Sequence, residues 1–169
     1  MSISIRPYSE GDFAVLRSSN TPAMTEHVGG PETEEKLQNR HQRYVDGWAT
    51  GTDRMFTIFL EGHEGGIGAA GFWPIDWHEN QIYESGWGVS EEFQGRGLAS
   101  LAERLVLEYA AREGDRRYVH AFPAVDHPAS NGVCRKAGFT LVGPTEFEYP
   151  KGTILTSNDW TFDLDTIAS

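Results

Sequence analysis

The sequence predicts an α/β fold of the α+β type, with a mixed sheet and helices around it. Strand-like runs joined by short glycine-containing turns occupy the middle of the chain. The last of these runs leads through a glycine loop into an amphipathic helix and then into another strand. Short turns make antiparallel neighbours, whereas a strand–helix–strand crossover makes a parallel pair. We therefore expect a central, mostly antiparallel sheet with one parallel β-α-β unit, flanked by about four helices.

The first third of the chain is predicted to contain one strand and two helices. Ile3 and Ile5 alternate with serines and indicate a strand, and residues 9–12 resemble a capping box that opens a short helix. Residues 18–32, rich in proline and glycine, are predicted to form a loop, and a second helix begins near Thr33. The residues expected to face inward on these two helices are Phe13, Ala14 and Leu16, and then Leu37, Tyr44, Val45 and Trp48.

The remaining elements alternate between strands and helices. The predicted strands are 54–60, 67–73, 81–89, 118–122, 139–142 and 158–164, and the predicted helices are 97–113 and 128–137. The apolar residues that give the first of these helices its period are Leu98, Leu101, Ala102, Leu105, Val106 and Tyr109. We expect residues 81–122 to form the parallel unit with a right-handed crossover.

Length and composition indicate one packed domain that covers residues 1–169. The chain is 38% hydrophobic and 12% aromatic, enough for a sizeable core. Cys134 is the single cysteine, which excludes an intramolecular disulfide and suits a reducing compartment. No signal-peptide pattern begins the sequence, and no apolar run approaches the about 20 residues that span a bilayer. We expect a cytoplasmic protein without a membrane partner.

The charge of the chain narrows the range of partners. A formal net charge of −11 argues against nucleic acid and anionic lipid. It suits a cationic substrate, although solubility is the commoner reason for an acidic surface. The six histidines show no tight metal-ligand spacing, so no metal site is predicted.

The loop before the helix at 97–113 is the most informative stretch. Gly95, Arg96 and Gly97 directly precede a helix N-terminus, whose unpaired N–H groups and dipole attract anions. Two glycines allow the backbone to approach a ligand closely, and Arg96 adds positive charge. An ordinary turn can contain the same residues. The strand–loop–helix order, however, favours a phosphate site and hence a pyrophosphate-bearing cofactor.

A competing phosphate motif lies in residues 66–71, which match G-x-G-x-x-G. The dinucleotide fingerprint needs a helix to start there. Residues 72–74, Phe-Trp-Pro, instead indicate a strand and then a break. We interpret these glycines as part of a sheet that another element crosses closely.

Glu84 is the candidate general base. It alternates with Tyr83 and Ser85 and so shares a sheet face with Gly86 and Gly88, which leave room for a ligand. A half-buried carboxylate has a raised pKa and accepts protons near neutral pH. A solvated strand glutamate is the alternative.

The helix at 128–137 carries a polar stripe. Helical spacing places His127, Ser130, Asn131 and Cys134 within about one third of the circumference. The opposite, buried face is expected to consist of Ala129, Val133 and Ala137. The stripe either faces a ligand or serves helix capping, with Cys134 packed as a small hydrophobe, the interpretation we favour for this residue. A catalytic triad is not predicted, since G-x-S-x-G is absent.

Aromatic residues cluster at the turn after the third strand. Trp73, Trp77 and His78 either line a substrate pocket or form an exposed hairpin tip with partly packed rings.

Two motifs together resemble a known family. The run Gln94-Gly-Arg-Gly97-Leu-Ala99 resembles the Q/R-x-x-G-x-G/A signature of the GNAT superfamily of N-acetyltransferases. Residues 130–139 resemble the S-x-x-V-x-x-K-x-G-F helix of its ribosomal-protein and small-amine branch. The element order fits a GNAT-like fold over nearly the whole chain.

The resemblance implies acetyl-coenzyme A as the donor, with coenzyme A as the product. It implies that the strand ending at Val89 pairs with the pantetheine arm and that an amide from Trp87 to Val89 polarises the carbonyl. It also implies that Glu84 deprotonates the attacking amine, often through water. The residues whose amides would hold the pyrophosphate are Gln94, Gly95, Arg96, Gly97, Leu98, Ala99 and Ser100.

The chain departs from the family pattern at two positions. His127 stands where the family commonly has an asparagine that contacts the coenzyme, and Cys134 stands where many members have a tyrosine general acid. Ser130 is then the better candidate for protonating the departing thiolate, and Cys134 the weaker one. A coenzyme A thiolate is also a tolerable leaving group, since thiol pKa values lie near about 8.5.

The expected function is transfer of an acetyl group to a primary amine of a small molecule. The alternatives are an N-terminal or lysine protein acetyltransferase, transfer of a bulkier acyl group such as succinyl, and a non-catalytic acyl-coenzyme A sensor. The resemblance implies that the loop at 18–32 and the turn at 73–80 shape the acceptor site, since loops commonly carry specificity. Homodimers are common in this branch, so a second copy is a further expected partner.

Overall fold

The computed structural model describes residues 2–148 and 151–167. Seven strands form one sheet in the order β1-β2-β3-β4-β5-β7-β6. The strands are β1 (Ile3–Pro7), β2 (Arg54–Leu60), β3 (Gly66–Trp77), β4 (Asn80–Val89), β5 (Tyr118–Ala121), β6 (Thr140–Glu148) and β7 (Ile154–Asp163). The helices are α1 (Phe13–Ser19), α2 (Pro22–Thr25), α3 (Glu34–Thr50), α4 (Leu98–Glu113) and α5 (Pro128–Ala137).

The sheet is antiparallel except for the pair β4 and β5, which is parallel and connected through α4. This confirms the predicted mixed sheet with one parallel β-α-β unit. Parallel pairing is short, because only Tyr83 with Val119 and Glu84 with His120 are partners. Beyond Glu84 the two strands separate, and this divergence positions the candidate site.

Helices cover both faces of the sheet. The larger core cluster joins the strands to α4 and α5, with Val106, Ala137 and Phe162 among its members. A smaller cluster joins α1 and α3 to the other face through Leu16 and Leu37. Glu84 lies on the second face, since the neighbouring Trp73 packs against the smaller cluster.

Two differences from the predicted secondary structure occur at prolines. Pro22 occupies the first turn of α2, where the missing N–H is tolerated, so a short helix lies within the predicted loop at 18–32. β3 continues through Pro74 to Trp77. Pairing with β2 ends at Phe72, so Pro74 lies on a free edge, where a strand accepts proline.

The last two strands are also longer than predicted. β6 and β7 form one extended ladder, with a register shift between Leu141 and Gly143. β6 is the outermost strand of the sheet, so Pro144 removes no essential ladder bond. The sequence Gly143-Pro144 therefore marks a bulge in an edge strand and not the end of a strand.

The inward faces of two helices differ from the prediction. In α1, Val15 and Leu16 are buried whereas Ala14 is exposed. In α4, Leu101 is 47% exposed and Glu103 is completely buried. The sequence pattern missed this because a glutamate was not considered a core residue.

Candidate active site

β4 and β5 diverge beyond Glu84, and we call the gap between the two strands the groove. β4 continues to Val89 and remains paired with β3 on one side only. The other edge of residues 85–89 is therefore without a strand partner among the described residues. An extended ligand can pair with such an edge through backbone hydrogen bonds. The pantetheine path along the strand that contains Trp87 and ends at Val89 stays a prediction, for which this edge is a possible place.

The glycine loop leads from this edge into α4. Gly95 and Gly97 adopt φ angles of 78° and 75°, in the left-handed region that favours glycine. A Cβ at either position would meet nothing within 4 Å. The backbone conformation therefore favours glycine at both positions, and the close approach of a ligand to this loop stays a prediction.

The loop and the first turn of α4 present several backbone donors. Leu98, Ala99 and Ser100 form the first turn, where no preceding carbonyl is available to their N–H groups. The side chains of Leu98 and Ser100 are buried, so these residues offer only their amides to a ligand. Together with the helix dipole, these donors fit a pyrophosphate.

Two loop side chains have structural partners. Gln94 donates through Nε2 to the carbonyl oxygen of Val89 at 2.9 Å. Arg96 donates to the carbonyl oxygen of Glu92 at 3.3 Å and remains exposed. Gln94 thus fixes the loop against the end of β4, and Arg96 leaves its charge near the helix N-terminus.

Glu84 lies half-buried at the point where β4 and β5 separate. Trp73, its partner on β3, donates its indole N–H to Oε1 of Glu84 at 3.1 Å. Burial raises the pKa of Glu84 to about 7, and the bond from Trp73 opposes part of that rise. Within the described chain, no group donates to Oε2. Trp73 therefore fixes one oxygen of the carboxyl group, and the other oxygen is available to a bound amine.

A hydrogen-bonded histidine continues the row of Trp73 and Glu84 across the sheet. His120 is the register partner of Glu84 on β5, so their side chains share a face. Nδ1 of His120 lies 2.5 Å from Oδ1 of Asp159, and Nε2 lies 3.2 Å from Oγ1 of Thr161. The sequence analysis missed this group, although the predicted parallel pairing of the two strands was the signal that would have found it.

The hairpin tip between β3 and β4 folds over the C-terminal strands. Trp77 donates to Oδ2 of Asp159 at 3.3 Å, and its ring centroid lies 4.6 Å from that of Phe122. Phe147 stacks on Phe122 at 4.3 Å. Trp77 therefore belongs to a packed aromatic group, while Trp73 contacts the candidate base directly.

The predicted polar stripe of α5 is divided, because Asn131 and Cys134 face the core whereas His127 and Ser130 are half-buried. Ala129, expected inside, is exposed, whereas Asn131 and Cys134 are buried. The side chain of Asn131 donates to the carbonyls of Ala124 and His127 and accepts from β7. These bonds explain how a polar residue fills a core position.

Cys134 illustrates the same correction. Its side chain is 0% exposed, and burial raises the pKa of the thiol. The packing interpretation is confirmed. The predicted contact between Cys134 and a cofactor is not supported, because a fully enclosed thiol cannot reach the groove.

His127 and Ser130 remain near the start of α5. The ring of His127 stacks on His27 with centroids 4.1 Å apart, and Nδ1 of His27 lies 3.3 Å from Oδ1 of Asp126. Burial and the neighbouring His27 lower the pKa of His127. Ser130 is half-buried in the first turn of α5. Their proposed roles toward the coenzyme stay predictions.

In residues 2–148 and 151–167, no three histidine, cysteine or carboxylate side chains form a group able to hold a metal ion. No helix in the same ranges has the length and apolar character needed to cross a membrane.

The family follows from these features and from sequence comparison. A sequence profile described as an acetyltransferase (GNAT) domain matches residues 2–140. The chain belongs to this family of acetyltransferase domains, and the mixed sheet with its β4–β5 divergence is the fold of that family.

Similar proteins act on different acceptors. The chain is 32% identical over 112 residues to the ribosomal-protein-serine acetyltransferase of Escherichia coli K12, covering 66% of this chain and 59% of the relative. A Salmonella typhimurium acetyltransferase that modifies the N-terminal serine of ribosomal protein L7/L12 has a TM-score of 0.77 at 22% identity, with coverage of 96% and 95%. The aminoglycoside acetyltransferase AAC(6')-Ib, solved with coenzyme A, has a TM-score of 0.75 at 18% identity, with the same coverage.

Proposed function

We propose that the protein is an acetyl-coenzyme A-dependent N-acetyltransferase that acts on a primary amine. The observation that carries the proposal is the position of Glu84. Its carboxyl group has a pKa of about 7 and lies at the point where β4 leaves β5, and one of its oxygens has no donor among residues 2–148 and 151–167. A general base needs both a matched proton affinity and access to the nucleophile.

The donor site is supported by the loop and the open edge of β4. Amides of the residues from Gly95 to Ser100 hold the pyrophosphate, and the edge from Ser85 to Val89 pairs with the pantetheine arm. Bound acetyl-coenzyme A supplies an activated thioester carbonyl. Aligning this group with the amine lowers the entropic part of the activation barrier. Such positioning alone makes a large contribution to the rate of a transfer reaction.

Three groups of the chain have proposed roles in the transfer of the acetyl group. Glu84 accepts a proton from the acceptor amine through its free oxygen, directly or through water. A strand amide between Trp87 and Val89 stabilises the negative charge on the carbonyl oxygen. Ser130 or solvent returns a proton to the thiolate of coenzyme A.

The acceptor is proposed to be a small molecule with a primary amine. The net charge of −11 supports a cationic acceptor. A protein N-terminus is the second candidate, favoured by the ribosomal-protein-serine acetyltransferase among the relatives. We also propose a cytoplasmic location, which the single cysteine supports.

The test is a screen of acceptors with acetyl-coenzyme A, measured by release of free thiol. The panel contains aminoglycosides, polyamines, aryl and alkyl amines, and peptides that begin with serine or alanine. We expect turnover with at least one class of primary amine. Binding of coenzyme A by calorimetry without turnover on any class would contradict the enzyme and identify an acyl-coenzyme A sensor instead.

A further inference from the structure

A second carboxyl group lies near the candidate site, on the face of the sheet that α4 covers. Glu103 is 0% exposed in the middle of α4, and it was not among the predicted functional residues. Ser85, the residue after Glu84, points to it from β4. Oγ of Ser85 lies 2.6 Å from Oε1 and 2.7 Å from Oε2 of Glu103.

The same hydroxyl makes a third close contact. Oγ of Ser85 lies 2.7 Å from the carbonyl oxygen of Gly71 on β3. A serine hydroxyl has one proton to donate, and a carbonyl oxygen only accepts. If Glu103 were ionised, the carboxylate and the carbonyl would compete for one proton, and one of these short contacts would join two acceptors.

A protonated carboxylic acid removes this conflict. Glu103 then donates to Oγ of Ser85, and Ser85 donates to the carbonyl oxygen of Gly71. The acid and the hydroxyl then supply two protons, so both the contact between Glu103 and Ser85 and the contact between Ser85 and Gly71 contain a donor. Complete burial favours the same uncharged form.

The surroundings supply no charge that would stabilise an ionised Glu103. In the described part of the chain, its polar contact is with Ser85 alone, and burial raises its pKa well above the ordinary value. The nearby titratable group on another element is the thiol of Cys134 on α5, whose pKa is also raised and which stays uncharged. Arg104 is directed to the carbonyl oxygen of Ala137.

We propose that Glu103 is a neutral carboxylic acid and a positioning residue, which ties α4 to the strand of the catalytic base by donating to Ser85. The two hydrogen bonds join three elements where the groove opens. α4 carries the glycine loop at its N-terminus, and β4 carries Glu84. Gly71 of β3 is the register partner of Gly86 of β4. The arrangement holds the coenzyme loop and the base in one frame.

The protonation state is tested with Glu103→Gln, which keeps a donor for Ser85 but cannot ionise. We expect the infrared difference spectrum of wild type minus variant to contain the C=O stretch of a protonated acid at neutral pH. The unfolded pKa is ordinary and the folded pKa is raised, so the wild type loses stability as pH rises between those values. The Tm advantage of Glu103→Gln should therefore grow from about pH 5 to about pH 8.

The control is Glu108→Gln, a change at an exposed position of the same helix. Its Tm difference from the wild type should not follow this trend. A carboxylate signal for Glu103 at neutral pH, or a Tm difference for Glu103→Gln that stays constant with pH, would overturn the neutral acid.

The positioning role is tested by kinetics, and this arm rests on the proposed function. We expect Glu103→Leu, which lacks a donor, to lower kcat about tenfold through misalignment, and Glu103→Gln to restore most of it. If Glu103→Leu folds and retains the kcat and KM of the wild type, the positioning role is wrong. The infrared and Tm measurements need no turnover, so they remain decisive even if no acceptor is found.

Discussion

Two glutamates lie on opposite sides of β4: Glu84 belongs to the strand itself, and Glu103 of α4 contacts the other face through Ser85. Burial raises the pKa of both Glu84 and Glu103. Trp73 donates to one oxygen of Glu84, and the other oxygen has no donor in the described part of the chain. Both oxygens of Glu103 contact Ser85 inside the core. A raised pKa thus shows where a proton is held, and access decides whether that proton can be exchanged with a substrate.

The difference has a local cause in the residues around each carboxyl group. Gly86 follows Glu84 on the same face and makes room for the ring of Trp73, and β5 separates from β4 beyond Glu84. Glu103 lies on the buried face of α4 with Ala102 and Val106. The first environment is suited to catalysis and the second to fixing a helix on a strand.

The largest effect is expected from removing the accessible carboxylate. Glu84→Gln should lower kcat/KM by about 10²–10⁴-fold, the usual contribution of a general base. Affinity for coenzyme A, measured by calorimetry, should change little, because the amides that hold the pyrophosphate are untouched. The activity is measured by thiol release with an acceptor from the screen.

The matched control is Glu61→Gln, which alters an exposed carboxyl group in the turn between β2 and β3. It should leave kcat/KM unchanged. If Glu84→Gln behaves in the same way at every pH, Glu84 is not the base, and the contrast between the two faces of β4 loses its functional meaning.

A smaller effect is expected from the donor that fixes Glu84. With a pKa of about 7 for the base, kcat/KM of the wild type should rise through neutral pH to a plateau, as the ionised form accumulates. The bond from Trp73 lowers this pKa, so Trp73→Phe should move the rise to higher pH by about 0.5–1 unit. The pH profile of kcat/KM measures the shift.

Trp77→Phe is the comparison for this variant, because it removes an indole donor to Asp159 and not to Glu84. Its profile should keep the midpoint of the wild type. A midpoint that stays fixed in Trp73→Phe, or moves to lower pH, would mean that the indole does not stabilise the ionised carboxylate.

Much of the fold was predictable because its signals are local. Alternation placed Glu84 on the opposite face from Ser85, and the glycine loop placed the start of α4 within one residue. The parallel pairing of β4 and β5 followed from the intervening helix, since a crossover connection returns a strand in the same direction. These features depend on a few adjacent residues.

The errors concern contacts between distant parts of the chain. Asn131 occupies a core position because Asn158 and Trp160 of β7 donate to it. Glu103 is buried because Ser85 provides a partner. Periodicity shows which residues share a face, but it does not show what covers that face or which polar atoms find partners there. For this reason the sequence pattern did not predict the exposure of Leu101 and Ala129 or the burial of Glu103.

The smallest effect on activity is expected at Cys134, on the same covered side as Glu103. Cys134→Ser buries a hydroxyl where the thiol packed, and should lower the free energy of unfolding by about 1–3 kcal/mol. Cys134→Ala should cost about 1 kcal/mol through the small void. Both variants should retain kcat/KM within about twofold, because a group without access to the groove contributes to packing and not to transfer. Urea denaturation and thiol-release kinetics measure the two quantities.

Rapid reaction of Cys134 with a thiol reagent, slowed by coenzyme A, would instead show that α5 opens toward the groove and that the two sides of β4 are less separate than the structure indicates.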